Sequence, residues 1–141
     1  MGLRGVEFAL SRSLPRGPEG TVSYSFQEAT DTSTHIPETN APRHLAQASL
    51  SLPLVKQKVF ASMDLQYVSK RVTLDGLSSG AYIVPNFTLF ARDISKKWEF
   101  SASLYNAFDR RYADPSGNGL AQDTIVQNGR SFRIKVGYKF Q

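Results

Sequence analysis

The chain has 141 residues, 17 Lys and Arg against 12 Asp and Glu, and no cysteine; 40 % of its residues are hydrophobic, 11 % aromatic and 21 % charged. These fractions exclude a disordered chain, and the lack of cysteine excludes disulfides and thiolate metal sites. Uninterrupted apolar stretches run only a few residues, too short for a transmembrane helix, and residues 1–7 lack the apolar core and cleavage site of a secretory signal.

Apolar and polar residues alternate along most of the chain, which indicates β-strands rather than helices. The alternation predicts about seven strands. In chain order, their apolar positions are Val6, Phe8 and Leu10; Val22, Tyr24 and Phe26; Ala46, Ala48, Leu50 and Leu52; Ala61, Met63, Leu65 and Tyr67; residues within 81–92; Trp98, Phe100, Ala102 and Leu104; and Phe132, Ile134, Val136, Tyr138 and Phe140. The fifth segment alternates least regularly. It also contains Pro85, which would remove a ladder hydrogen bond if the strand is central.

Short and long connections alternate between these strands. Residues 15–20, 56–58 and 95–97 form the short ones, and residues 31–43, 75–80 and 114–129 form the long ones. In an antiparallel meander, this alternation places every short turn at one end of the sheet and every long loop at the other. Transmembrane β-barrels have this layout.

Strand length and face composition favour a membrane barrel over a soluble sandwich. The strands are predicted to run about ten residues, whereas strands of globular proteins have a mode of about 5–6. One face is apolar and has no amphipathic helix to cover it. The other is polar, with Glu7, Gln27, Gln47, Asp64, Gln66, Glu99, Arg133 and Lys135. The alternative is a soluble, lectin-like β-sandwich, in which a second sheet covers the apolar face.

Two motifs resemble a known family. The segment Asn106-Ala107-Phe108-Asp109-Arg110-Arg111-Tyr112 resembles the penultimate-strand signature of TonB-dependent outer-membrane receptors. Gly129-Arg130-Ser131-Phe132, followed by the alternation through Ile134, Val136 and Tyr138 to Phe140, resembles their closing strand. The resemblance implies a structural role for Asn106, Phe108, Asp109, Arg110, Arg111, Tyr112, Gly129, Arg130 and Phe132. It also implies an assembly signal made of Phe132, Ile134, Val136, Tyr138 and Phe140.

The resemblance implies that residues 1–141 are the C-terminal part of an all-β transmembrane barrel of about 22 strands, without the plug domain or signal peptide of the family. It implies a location in the outer membrane of a Gram-negative bacterium. The expected function is energised uptake of a scarce nutrient, of the iron-siderophore or cobalamin type. The expected partners are outer-membrane lipid, lipopolysaccharide, the barrel-assembly machinery and a metal-chelate ligand, with the TonB complex reached only through the absent plug. This part alone is not expected to transport.

Basic residues near the predicted long loops are candidates for contact with the ligand or with lipopolysaccharide, because both are anionic. They are Arg43, Lys70, Arg71, Arg110 and Arg111. His35 and His44 lack the supporting carboxylates of a metal or catalytic site, so no cofactor and no enzyme activity are expected. Nucleic-acid binding is also not expected, because alternation puts the rings and charges of the last strand on opposite faces.

Overall fold

The computed structural model describes residues 2–32, 37–117 and 119–140. Seven long strands form one sheet in the order β1-β2-β3-β4-β7-β8-β11, and two short hairpins form separate two-stranded sheets. The strands are β1 (Gly2–Ser13), β2 (Glu19–Thr30), β3 (His44–Val55), β4 (Val59–Val68), β5 (Arg71–Val72), β6 (Ser78–Ser79), β7 (Tyr82–Ile94), β8 (Trp98–Tyr105), β9 (Ala113–Pro115), β10 (Thr124–Val126) and β11 (Ser131–Tyr138). No described helix is long or apolar enough to cross a membrane.

The predicted all-β antiparallel meander is confirmed. Every neighbouring pair in the main sheet is antiparallel, and β1 and β11 lie at its two sides. Five of the seven strands have at least ten residues, and β8 and β11 have eight each. The short hairpins β5–β6 and β9–β10 were not predicted, and they lie inside two of the long connections.

The turns at one end of the sheet are short. The β3–β4 turn is residues 56–58, and Lys56 and Gln57 both have positive φ, at 42° and 59°. The β7–β8 turn likewise places Ser95 and Lys96 at φ of 52° and 66°. Two consecutive left-handed residues match the right-handed twist of a two-stranded hairpin. These turns define the short-turn end, and the opposite end is the long-loop end.

The register aligns apolar with apolar side chains in the central part of the sheet. Phe8 is opposite Tyr24, Ala48 is opposite Leu65, and Ala102 is opposite Ile134. Because side chains alternate between the two surfaces of a strand, these pairs share one surface, here called the apolar face. The opposite surface, the polar face, contains pairs such as Ser49 with Asp64, and Thr88 with Ser103.

The apolar face is not covered by any other part of the described chain. Phe132 is 78 % exposed and Val6 is 69 % exposed. Within the described ranges, buried hydrophobic residues are limited to Val68, Tyr82 and Val84, near the long-loop end. A sandwich would instead bury its apolar face under a second sheet, so the sandwich alternative is not supported by this fold.

Pro85 lies in β7, between β4 and β8, where a proline would ordinarily weaken the ladder. Its carbonyl accepts a hydrogen bond from Ala107 N, at 2.9 Å, so its backbone polar side faces the β8 side of β7. There, β8 has already ended at Tyr105, and Asn86 Oδ1 accepts a hydrogen bond from Asn106 N at 2.9 Å. The missing N–H therefore faces a turn instead of a ladder position.

Candidate functional site at the long-loop end

Asn106 forms a buried polar junction where β8 leaves the sheet. It is 3 % exposed, and its φ of 46° is one that asparagine tolerates better than most residues. Its Nδ2 donates to the carbonyls of Arg110 at 2.8 Å and Asn128 at 3.2 Å, and its Oδ1 accepts from Arg110 N at 2.8 Å. One side chain therefore fixes its own turn and joins it to the segment leading into β11.

Asp109 makes a second connection between the same two segments. Its Oδ1 accepts a hydrogen bond from Arg130 N at 2.7 Å, and its own N–H donates to the carbonyl of Asn106 at 2.8 Å. A Cβ added to Gly129 would lie 2.7 Å from Asp109 Oδ1, which is closer than real Cβ contacts. A side chain at position 129 would therefore displace the Asp109 carboxylate from the position in which it accepts the bond from Arg130 N.

Replacing Asn106 by Ala is expected to lower the free energy of unfolding by about 2–3 kcal/mol, because it leaves Arg110 N and two carbonyls without their partner. Urea unfolding of the full chain refolded in detergent micelles measures this change. Asn128→Ala is the matched control, because its side chain is exposed and has no hydrogen bond within the described residues. Equal stability of the two variants would contradict the junction role.

Arg71 and Asp114 form a second polar cluster, which joins the two short hairpins. Arg71 is 9 % exposed; its Nη2 donates to Asp114 Oδ1 and its Nη1 donates to Asn40 Oδ1 at 3.2 Å. Tyr82 O–H donates to the same Asp114 oxygen at 3.1 Å, and the Arg71 guanidinium lies 5.7 Å from the Tyr82 ring centroid. We call this set the loop clamp: Arg71, Asp114, Tyr82 and Asn40.

Further contacts hold the hairpins together beside the clamp. Ser79 Oγ donates to the carbonyl of Ala113 at 2.6 Å, and Asp75 N donates to Asp123 Oδ1 at 3.1 Å. The two bonds connect residues 34 and 48 positions apart in sequence. The long connections therefore pack as a joined unit above the sheet.

Tyr112 packs under this unit. Its ring centroid lies 4.1 Å from that of Tyr82, and both belong to the small cluster around Val68 and Val84. Burial, followed by the negative charge of Asp114, raises the pKa of the Tyr112 phenol above its ordinary value. It faces the polar side of the sheet, whereas Phe108 is 76 % exposed.

A cavity of about 800 Å³ opens at the long-loop end, bounded by β2, β3 and β4 on one side and by the β5–β6 hairpin on the other. The strand side chains that line it include Glu28, His44 and Tyr67. His44 is paired with Phe26, Tyr67 is paired with Ala46, and Glu28 lies two residues after Phe26 in β2. All three therefore lie on the apolar face, at its long-loop end. Tyr24 and His44 are hydrogen-bonded there, at 2.7 Å between the phenol oxygen and Nδ1.

Aromatic rings also cluster at the short-turn end of the apolar face. The Trp98 ring lies 4.8 Å from that of Tyr138, which in turn lies 4.8 Å from Phe140. Trp98 and Phe100 are stacked, with centroids 6.1 Å apart. The apolar face therefore carries rings at both ends, as the aromatic girdles of membrane barrels do.

The structure separates the five predicted basic contact residues into two groups. Arg43, Lys70 and Arg71 line the cavity, whereas the exposed Arg110 and Arg111 belong to the turn that follows Asn106. Arg71 is bound to Asp114 and largely sequestered, so its role in the clamp was missed from the sequence. The partner lies 43 residues away, and no motif indicated the pairing.

Of the two histidines, His44 lies at the cavity and His35 falls outside the described residues. Within 2–32, 37–117 and 119–140, no three His, Cys, Asp or Glu side chains are grouped so as to hold a metal ion.

No protein-family model matches the sequence, and no curated protein does. Solved structures do match. The FpvA receptor of P. aeruginosa bound to an iron-pyoverdine gives a TM-score of 0.80 at 17 % identity, covering 98 % of this chain and 19 % of that one. The copper transporter OprC gives 0.78 at 20 % identity, covering 98 % and 24 %.

BauA, the ferric preacinetobactin receptor of Acinetobacter baumannii, gives a TM-score of 0.80 at 17 % identity, covering 98 % of this chain and 22 % of that receptor. The chain thus spans about a fifth to a quarter of the length of these three structures. At such identities, the likeness concerns the fold. The chain has the fold of a segment of the β-barrel of TonB-dependent receptors, the family that its two C-terminal motifs resemble.

Proposed function

We propose that this chain forms part of the barrel wall of an outer-membrane receptor that imports a scarce nutrient, with a ferric siderophore, cobalamin or another metal chelate as cargo. The single observation that carries the proposal is the uncovered apolar face, which runs across seven antiparallel strands between two groups of aromatic rings. Lipid is the environment that such a face requires.

The structural neighbours support the transport role. FpvA is bound to an iron-pyoverdine, BauA is a ferric preacinetobactin receptor, and OprC is a copper transporter. In this proposal, the chain contributes part of the barrel wall and of the outer loops. It also contributes the closing strand, β11, which the barrel-assembly machinery recognises. We propose no catalytic role. Energy from the TonB complex would enter through a plug domain outside this chain.

The loop clamp gives the outer end of the wall a defined shape. Because Arg71 and Asp114 tie the hairpins β5–β6 and β9–β10 together, the loops above the barrel would form a preorganised rim. Preorganisation reduces the cost of ordering a loop when a ligand binds. Arg110 and Arg111, which are exposed in the same region, remain the candidates for attracting an anionic chelate.

Trp98 provides a direct test, because it is the only tryptophan of the chain and lies in the ring cluster at the short-turn end. Diluting the urea-unfolded chain into vesicles of phosphatidylcholine and phosphatidylglycerol should shift Trp98 emission to shorter wavelength and reduce its quenching by acrylamide. Dilution into buffer without vesicles should give aggregates. A soluble, cooperatively folded monomer whose Trp98 emission is unchanged by vesicles would refute the proposal.

A further inference from the structure

The basic excess of the chain is confined to the short-turn end. The strand ends and turns there, residues 12–20, 56–58, 92–99 and 138–140, contain eight basic and three acidic side chains. Because the whole chain has 17 Lys and Arg and 12 Asp and Glu, the remainder has nine of each, and their charges cancel. The net charge of +5 is therefore a property of one end of the molecule.

The three acidic side chains at this end do not neutralise the basic ones on the apolar face. Glu19 is opposite Ser51 and lies on the polar face. Asp93 and Glu99 are both bound to Lys139, at 3.2 and 2.7 Å. Six basic residues here have no ion pair among the described residues. We call them the short-turn cations: Arg12, Arg16, Lys56, Lys58, Lys96 and Lys97.

Two of the short-turn cations lie beside the apolar face. Arg12 is exposed and follows Leu10 by two residues in β1, so the alternation places it on the same surface. Lys97 Nζ lies 5.8 Å from the ring centroid of Tyr138, in the ring cluster that includes Trp98. Long basic side chains in such positions keep their methylene groups on apolar surface and their charge at its polar boundary. Cations and rings therefore share one boundary of the apolar face.

This arrangement fits a partner that presents apolar surface and negative charge side by side. In the proposed barrel, the apolar face lies in lipid and the short turns face the periplasm. The short-turn cations then lie at the headgroups of the periplasmic leaflet, and lysine or arginine near an anionic membrane surface is attracted to it. A soluble acidic partner would match the charge but not its position beside the aromatic rings.

We propose that the short-turn cations bind the phosphate groups of phosphatidylglycerol, an anionic phospholipid without a compensating ammonium. Arg12 and Lys97 contact the headgroups from the apolar face, and the other four cations contact them from the turns. The contacts hold the short-turn end at a fixed depth in the bilayer. This inference rests on the proposed function, because it takes the apolar face to lie in a membrane.

The experiment dilutes the urea-unfolded full chain into vesicles of phosphatidylcholine alone, or of phosphatidylcholine mixed with phosphatidylglycerol, and measures the lipid concentration at which half of the chain floats. The double variant Arg12→Gln/Lys97→Gln should need about thirtyfold more of the mixed lipid, about fivefold for each charge removed. It should bind phosphatidylcholine alone as the unmodified chain does. At about 1 M NaCl, where the Debye length is about 3 Å, the difference in mixed vesicles should disappear.

The matched control is Arg133→Gln/Lys135→Gln, which removes the same charge from exposed positions on the polar face of β11. It should bind both kinds of vesicle as the unmodified chain does. Equal binding of the two double variants to mixed vesicles would overturn the inference, and so would an equal loss for Arg12→Gln/Lys97→Gln in phosphatidylcholine alone. In both cases, entry of Trp98 into vesicles leaves the proposed function standing. If Trp98 enters neither kind of vesicle, the proposed function and this inference both fail.

Discussion

Replacing Arg71 by Met should lower the free energy of unfolding of the chain by about 3 kcal/mol, the lower end of the range for breaking a buried ion pair. The lower end applies because Asp114 retains 31 % side-chain exposure, while Arg71 is only 9 % exposed. The variant loses the hydrogen bonds to Asp114 and Asn40 and leaves the carboxylate with Tyr82 alone. Urea unfolding in micelles measures the change.

The matched control is Arg111→Met, which removes an exposed arginine with no ion pair among the described residues. A double-mutant cycle with Asp114→Asn isolates the pair itself, and coupled neighbours show interaction energies of about 0.5–3 kcal/mol. Limited proteolysis adds a local readout, since both hairpins should become cleavable in Arg71→Met. If Arg71→Met and Arg111→Met unfold at the same urea concentration, the loop clamp does not stabilise the molecule.

The second large effect concerns the apolar face. Met63→Arg should reduce the stability of the vesicle-inserted chain by about 2–4 kcal/mol, the cost of an arginine at the middle of the bilayer on the lipid side of a barrel. Met63 is opposite Leu50 and Phe87, in the central part of the sheet. The measurement is the urea midpoint of the inserted chain, together with the fraction that floats with the vesicles.

The adjacent substitution, Ser62→Arg, provides the control because Ser62 lies on the polar face, where its Oγ is 3.4 Å from Ser51 Oγ. The same charge is added one residue away, so only the face differs. Ser62→Arg should insert almost as well as the unmodified chain. If Met63→Arg and Ser62→Arg lose the same amount of stability, both faces of the sheet lie in the same environment and the prediction is wrong.

The sequence allowed the main sheet to be predicted because period two is a local signal. Strands such as β4 and β11 alternate over eight or more residues, so their faces can be assigned without any knowledge of their neighbours. The short hairpins escaped prediction, because strands of two or three residues, such as Arg71–Val72 and Ala113–Pro115, carry no measurable period.

The candidate site was predictable only in part. The motif from Asn106 to Tyr112 was expected to have a structural role, and in the structure this segment follows β8. Arg71 was assigned by charge to ligand contact, whereas its main described partner is Asp114. Such an ion pair depends on how the two hairpins pack against each other, and the charges of the side chains alone do not predict that packing.

The number of strands constrains how the two sides of the sheet can be completed. With seven strands in one antiparallel order, β1 and β11 run in the same direction, from the long-loop end to the short-turn end. They cannot pair antiparallel with each other, and copies inserted in the same orientation would meet edge to edge as parallel strands. An all-antiparallel barrel therefore needs an odd number of further strands, and the first and last of them must run the opposite way.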